Sequence, residues 1–159
     1  MIYNDILRSL RFSLDISDND VAGIISLSGH HVSLTDVRSF LKKEDDDEYI
    51  ECSAKILGYF LDGLIVSKRG KREEEGEALP GKKSPHLTNN DIMKKLRIAF
   101  NLKEEDMLAV FNLSGFDLSK GELSALFRQK GHKHFRECGD QILRNFLKGL
   151  ALKMRNIPG

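Results

Sequence analysis

The sequence predicts an all-α protein made of two tandem copies of one helical unit, and three observations carry that prediction. Sliding the 159-residue chain along itself by 86 positions lays NDILRSLRFSLDIS (4–17) over NDIMKKLRIAFNLK (90–103), LSGHHVS (27–33) over LSGFDLS (113–119) and ECSAKILGYFLDGL (51–64) over ECGDQILRNFLKGL (137–150). Residues 4–69 and 90–155 share 19 identities in 66 positions without a gap, and self-similarity at a fixed shift marks a repeated structural unit. Apolar residues recur with helical spacing, and no segment alternates with period two for long enough to form a convincing strand.

About four helices are expected in each copy. In the first, Tyr3, Leu7, Leu10 and Leu14 fall at i, i+4, i+7 and i+11, one face of a helix. Asn4/Asp5 and Asn90/Asp91 read as N-caps of the two opening helices. Ser17 followed by Asp20 has the form of a capping box for a second helix through Leu27, with Gly29 as its stop. Ser33 with Asp36 opens a third through Lys43. Lys103 with Asp106 and Ser119 with Glu122 repeat both starts, the first without a capping side chain. The last helix is the longest, over 47–67 and 133–155, with the apolar stripe Phe135, Cys138, Ile142, Phe146 and Leu150 in the second copy. Two copies this similar are expected to pack about a pseudo-twofold axis. The first helical repeat then spans 1–69 and the second 88–155. Residues 70–87, rich in charge and holding Gly and Pro, have linker composition.

Composition narrows the class of protein. Hydrophobic residues make up 40% and the formal net charge is only +1, which excludes most disorder. No run of about 18 apolar residues is present, so no membrane contact is expected. The opening MIYNDILRSLRF carries charge from residue 5, unlike a secretory leader. Two cysteines are too few for a disulfide-stapled secreted scaffold of this size, so the expected location is the cytoplasm, with reduced thiols.

Several long motifs extend the picture. NDILRSLR at the start, FLKKEDDDEY (40–49), GLIVSKRG (63–70), NNDIMKKLRIAFNL (89–102) and FRQKGHKHFRECGDQILRNFLKGL (127–150) resemble the YehS-like family. These are small bacterial proteins with a duplicated domain of unknown function. The resemblance covers essentially the whole chain. It implies a helical, duplicated protein of the bacterial cytoplasm, and it implies no activity and no catalytic residue.

Function must be sought in what the two copies share and what they do not. Residues kept in both are expected to serve folding. Arg11 and Arg97 follow a core leucine and are expected to tie helices together through a carboxylate such as Asp20 or Glu51. Cys52 and Cys138 are expected to behave as small buried hydrophobes.

The asymmetry lies in charge. Residues 1–80 carry 10 Lys/Arg against 16 Asp/Glu, a balance of −6, and residues 81–159 carry 15 against 8, a balance of +7. The acid is concentrated at EDDDE (44–48) and the base at FRQKGHKHFR (127–136), which includes Arg128 and Lys130. Taking 133–155 as one helix puts Lys133, Arg136, Arg144, Lys148 and Arg155 within about 120° of each other. Such a stripe is a solvated face, a site for a polyanion such as nucleic acid, or a dock for an acidic protein, a second copy giving a homodimer included.

GHHVSLTDVRSFLK (29–42) looks superficially like a helix-turn-helix, its second helix offering Arg38, Lys42 and Lys43. The second copy offers Lys120, Arg128 and Lys130. His132, His134 and Cys138 have H-x-H-x-x-x-C spacing, with His134 and Cys138 on one face if helical, but no fourth metal ligand is evident. The first copy has Asp46, Glu48 and Cys52 at those positions. No P-loop, dinucleotide fingerprint, nucleophile elbow or zinc-protease motif occurs, so no cofactor and no catalytic residues are expected. The leading expectation is a non-enzymatic binding protein that uses the basic face of the second repeat. The alternatives are a metal or enzymatic site near His132, His134 and Cys138, and a self-associating structural module.

Overall fold

The computed structural model describes residues 1–70 and 87–156. Most of the expected linker, 71–86, lies outside the described residues. The described chain is helical, with no strand. Repeat one comprises α1 (Tyr3–Leu14), α2 (Asp18–Leu27), α3 (Leu34–Phe40) and α4 (Ala54–Arg69). Repeat two comprises α5 (Asn89–Ala99), α6 (Glu104–Leu113), α7 (Lys120–Leu126) and α8 (Asp140–Met154).

The helix starts follow local chemistry. Ser17, Ser33 and Ser119 each accept from the backbone N–H three residues on, and Asp20 and Glu122 return the bond to complete capping boxes. Lys103 has no acceptor to offer, so only the Asp106 carboxylate remains there, accepting from the Lys103 amide at 2.8 Å. The opening helices differ from expectation. The N-caps are Ile2 and Thr88, and Asp91 is the third residue of a Thr88 capping box. Asp15 and Asn101 then end α1 and α5 in the left-handed conformation, at φ 57° and 53°. Asp and Asn tolerate that region better than other side chains with a Cβ.

α3 stops at Phe40 rather than Lys43, and the two longest helices begin late. α4 starts at Ala54 behind a Ser53 cap, and α8 at Asp140. The residues expected to form their first turns, 47–53 and 133–139, are irregular chain. Phe135 and Cys138 therefore precede α8 and do not belong to its stripe.

One contiguous core joins the repeats. Phe60, Phe111, Phe146, Leu7, Leu10 and Ile92 are fully buried in it, each worth about 1.5–3 kcal/mol relative to exposure. Within a repeat the second helix packs on the last, α2 on α4 and α6 on α8. The first helix packs chiefly across the repeats: α1 lies on α8, and α5 on α4. Exchanging the repeats exchanges these two contacts, as a pseudo-twofold requires. The repeats thus interlock and share one interior.

The within-repeat contacts are close because of glycine. A Cβ on Gly63 would stand 1.8 Å from the Ile24 carbonyl oxygen, and one on Gly149 would stand 2.0 Å from that of Val110. Both pairs are 86 residues apart, so the same crossing is built twice. No helix among the described residues is long and apolar enough to cross a membrane.

Candidate basic interface

The connection between the third and last helices of each repeat is irregular but fixed. Its backbone polar groups need partners, and one asparagine supplies them. In repeat one Asn4 Nδ2 donates to the carbonyls of Phe40 (3.0 Å) and Ile50 (2.9 Å). Its Oδ1 accepts from the Cys52 amide at 2.8 Å. In repeat two Asn90 makes the same three bonds, to the carbonyls of Leu126 (2.9 Å) and Arg136 (3.0 Å) and from the Cys138 amide (2.9 Å). These asparagines are pins across the fold, not helix caps.

Held in this way, the 127–139 loop displays its charge outward. Arg128, Lys130, Lys133 and Arg136 are all exposed, and so are Arg144 and Lys148 on α8. Lys133 and Arg136 are not helical, so the single five-residue stripe does not exist. The basic surface is a loop plus two α8 side chains 40° apart around the helix axis at 100° per residue. Arg136 reaches Glu122 at 3.6 Å. Arg155 belongs elsewhere: it caps α8, pairs with Asp15 at 2.7 Å and lies 4.5 Å over the Phe12 ring, fastening α8 to α1. Among the described residues Arg128, Lys130, Lys133, Arg144 and Lys148 have no carboxylate within ion-pair distance.

The other candidates separate. Cys138 is buried, and burial pushes its thiol up to about 12; the Cys52 thiol rises to about 12 for the same first cause. His132 and His134 are exposed, and His132 Nδ1 accepts from the His134 amide at 3.0 Å. His134 and Cys138 do not share a helix face, because neither is helical. Among the described residues no three His, Cys, Asp or Glu side chains come together as metal ligands.

The arginines also differ from expectation. Arg11 pairs with Asp18 at 3.0 Å, not with Asp20 or Glu51, and Arg38 approaches the same carboxylate at 3.7 Å. Arg97 donates to the Leu102 carbonyl and lies 4.7 Å over the Phe127 ring. With Arg38 turned toward Asp18 and Val37 and Phe40 buried, seven-residue α3 leaves little to present to a DNA groove; Lys42 and Lys43 lie beyond it. Arg38 and Lys42 line a shallow, open hollow of about 370 Å³ with Thr35, Ser39 and Glu48.

The family model described as "Protein of unknown function (DUF1456)" matches twice, over residues 3–70 and 89–156. The chain belongs to the DUF1456 family. Its two matched segments are the two repeats of the fold. The "Uncharacterized protein YehS" of Escherichia coli (strain K12) is 42% identical over 153 residues, 96% of either chain. No solved structure matches.

Four features of this DUF1456 chain escaped the sequence reading. The asparagine pins and the glycine crossings are two. The third is His30, stacked on Tyr59 with ring centroids 3.8 Å apart. The fourth is a set of exposed apolar side chains, Phe12 with Ile98 and Leu27 with Leu113. Each of those pairs is 86 residues apart, so the repeat alignment held a signal: an apolar residue kept at both positions. Whether such a position faces in or out depends on how its helix crosses its neighbour, α1 on α8, α5 on α4, α2 on α4 or α6 on α8, which no local pattern encodes.

Proposed function

We propose that this DUF1456 protein is a non-enzymatic binding protein whose basic loop, 128–136, with Arg144 and Lys148, takes a polyanion, nucleic acid first among them. One observation carries the reading: five exposed cations, Arg128, Lys130, Lys133, Arg144 and Lys148, lack a carboxylate partner among the described residues. Phosphates neutralised by such side chains release their condensed counterions, which drives association at low salt. The shape of the surface agrees. Its side chains lie exposed on a loop and a helix face, which suits an extended charged partner rather than a small substrate.

The test is fluorescence anisotropy with labelled single- and double-stranded DNA and RNA, from about 50 to about 300 mM salt. The variant K133E/R144E/K148E is measured beside the native chain. The expected result is binding that weakens as salt rises, with a log–log slope of about −3 to −5 for single- or double-stranded ligand, and no binding by the variant. Absence of binding at the lowest salt overturns the nucleic-acid reading.

A further inference from the structure

The loop between α3 and α4 and the loop between α7 and α8 share three backbone hydrogen bonds and carry opposite charge, although the chain departs at Gly131, whose φ of 101° has no counterpart at Asp45. In the first, the Asp46 amide donates to the Lys43 carbonyl at 3.0 Å, Tyr49 to Asp46 at 3.1 Å and Ile50 to Ser39 at 3.3 Å. In the second, His132 donates to Gln129 at 3.0 Å, Phe135 to His132 at 2.9 Å and Arg136 to Ala125 at 3.0 Å. Every donor and acceptor is shifted by 86. On this shared frame, positions 44–48 read Glu-Asp-Asp-Asp-Glu and positions 130–134 read Lys-Gly-His-Lys-His. All ten side-chain positions are exposed. Of the five acidic residues only Glu48 meets a cation among the described residues, Lys42 at 3.7 Å. No ion pair among the described residues joins the two loops within the molecule.

We propose that the basic loop of one molecule docks the acidic loop of a second copy of this chain. The inference rests on the basic loop being a contact surface, and it stands whether or not nucleic acid is a ligand. Charge complementarity identifies the occupant. One scaffold presents both signs on loops held by equivalent hydrogen bonds, and among the described residues each loop has only one ion pair, Glu48 with Lys42 and Arg136 with Glu122, so the rest of the charge is open to a complement from a neighbour. If both loops dock reciprocally the pair closes as a twofold dimer; if each molecule uses one loop and offers the other, association continues to a ring or an open chain. The docked acidic loop covers Lys130 and Lys133, so self-association and nucleic-acid binding exclude each other.

The experiment is sedimentation velocity of the full chain from about 5 to about 500 μM, at about 50 and about 300 mM salt. Two variants accompany it: D45K/D46K/D47K, with two basic loops, and R128E/K130E/K133E, with two acidic loops. The native chain should gain mass with concentration at low salt, and its association constant should fall at least about tenfold at high salt, because exposed ion pairs are screened. Each variant alone should stay monomeric, and the equimolar mixture should associate. Circular dichroism and melting temperature verify that both variants fold. A native chain that is monomeric throughout, variants that associate on their own, or a mixture of folded variants that does not associate would each overturn the proposal. Nucleic-acid binding is read separately on D45K/D46K/D47K, which keeps its basic loop. A native chain that stays monomeric while the variant binds nucleic acid sinks this inference alone, and a native chain that self-associates while the variant binds no nucleic acid sinks only the nucleic-acid reading.

Discussion

The side-chain oxygen of Asn4 accepts a hydrogen bond from the Cys52 amide at 2.8 Å, and Asn90 repeats this on the Cys138 amide at 2.9 Å. In each repeat the same carboxamide also donates to two backbone carbonyls on either side of the loop. One side chain thus satisfies three backbone groups of a segment that has no helix or sheet to satisfy them. Only Asn or Gln offers donors and an acceptor on one planar group, and Asn is the shorter of the two. The pins hold the loops that carry the charge.

Replacing Asn4 by alanine leaves a buried amide and two carbonyls without partners. Each such group costs about 1–3 kcal/mol, less where water enters, so N4A should lose about 3 kcal/mol in urea denaturation. Asn90 is half-buried and its bond to Arg136 is exposed, so N90A should lose less, about 1–2 kcal/mol. Asp at position 4 has nearly the shape of Asn but faces two carbonyls with a second oxygen. N4D should therefore be at least as damaging as N4A near neutral pH. An N4A chain as stable as the native one would remove the pin.

The glycine crossings give a prediction whose sign differs along one helix. Alanine is favoured over glycine inside a helix by about 1 kcal/mol. At Gly58, where a Cβ meets nothing within 4 Å, G58A should stabilise by about 0.5–1 kcal/mol. At Gly63 and Gly149 the new Cβ falls 1.8 and 2.0 Å from a carbonyl oxygen of the backbone, which has no rotamer to change. The packed helices must separate, and overpacking of this kind costs about 1–3 kcal/mol or more. G63A and G149A should each destabilise by about 2 kcal/mol net. Thermal melts of the three variants check the ordering.

Helix number, order and repeat were legible because each rests on local signals. Ser17, Ser33 and Ser119 mark helix starts through bonds that span three residues. Where the signals were non-local, the reading failed. Asn4 stands at a helix start, where Asn is a common cap, and its real partners lie 36 to 48 residues away. The first turns assigned to the long helices have apolar residues at helical spacing, yet the pins hold Ile50, Cys52, Arg136 and Cys138 in irregular chain. The basic stripe dissolved for that reason: Lys133 and Arg136 moved to the loop and Arg155 to the contact with α1. The concentration of charge in one loop survived, because exposure of a solvated charged run needs no tertiary information.

Arg155 tests that reassignment. It stacks on Phe12 and pairs with Asp15, which is 82% exposed. The exposed ion pair contributes little, and most of the gain comes from the stacked guanidinium. R155A should cost about 1 kcal/mol of stability and leave the salt slope of polyanion binding unchanged. R155K should recover only part of the loss, since an ammonium lacks the planar face. A slope that falls with R155A would return this residue to the basic surface.

Among the described residues Glu122 is the one carboxylate that restrains the basic loop, through its 3.6 Å contact with Arg136. Its carboxyl titrates below the usual range, chiefly because the Ser119 amide donates to it at 2.9 Å, then through the Ser119 hydroxyl and, least, Arg136. Because the folded value is depressed, its contribution to stability is present above the unfolded value of about 4.3. That contribution is lost as pH falls through the folded value. Melting temperatures of the native chain and E122Q should therefore converge as pH falls below the unfolded value of about 4.3, with the native chain the more stable at neutral pH. In binding, the effect has the opposite sign. E122Q releases Arg136 to meet a phosphate, so the salt slope should steepen by about 1 and affinity should rise. A variant with native slope and affinity would mean that Arg136 does not face the ligand, leaving Arg128, Lys130 and Lys133 to define the contact.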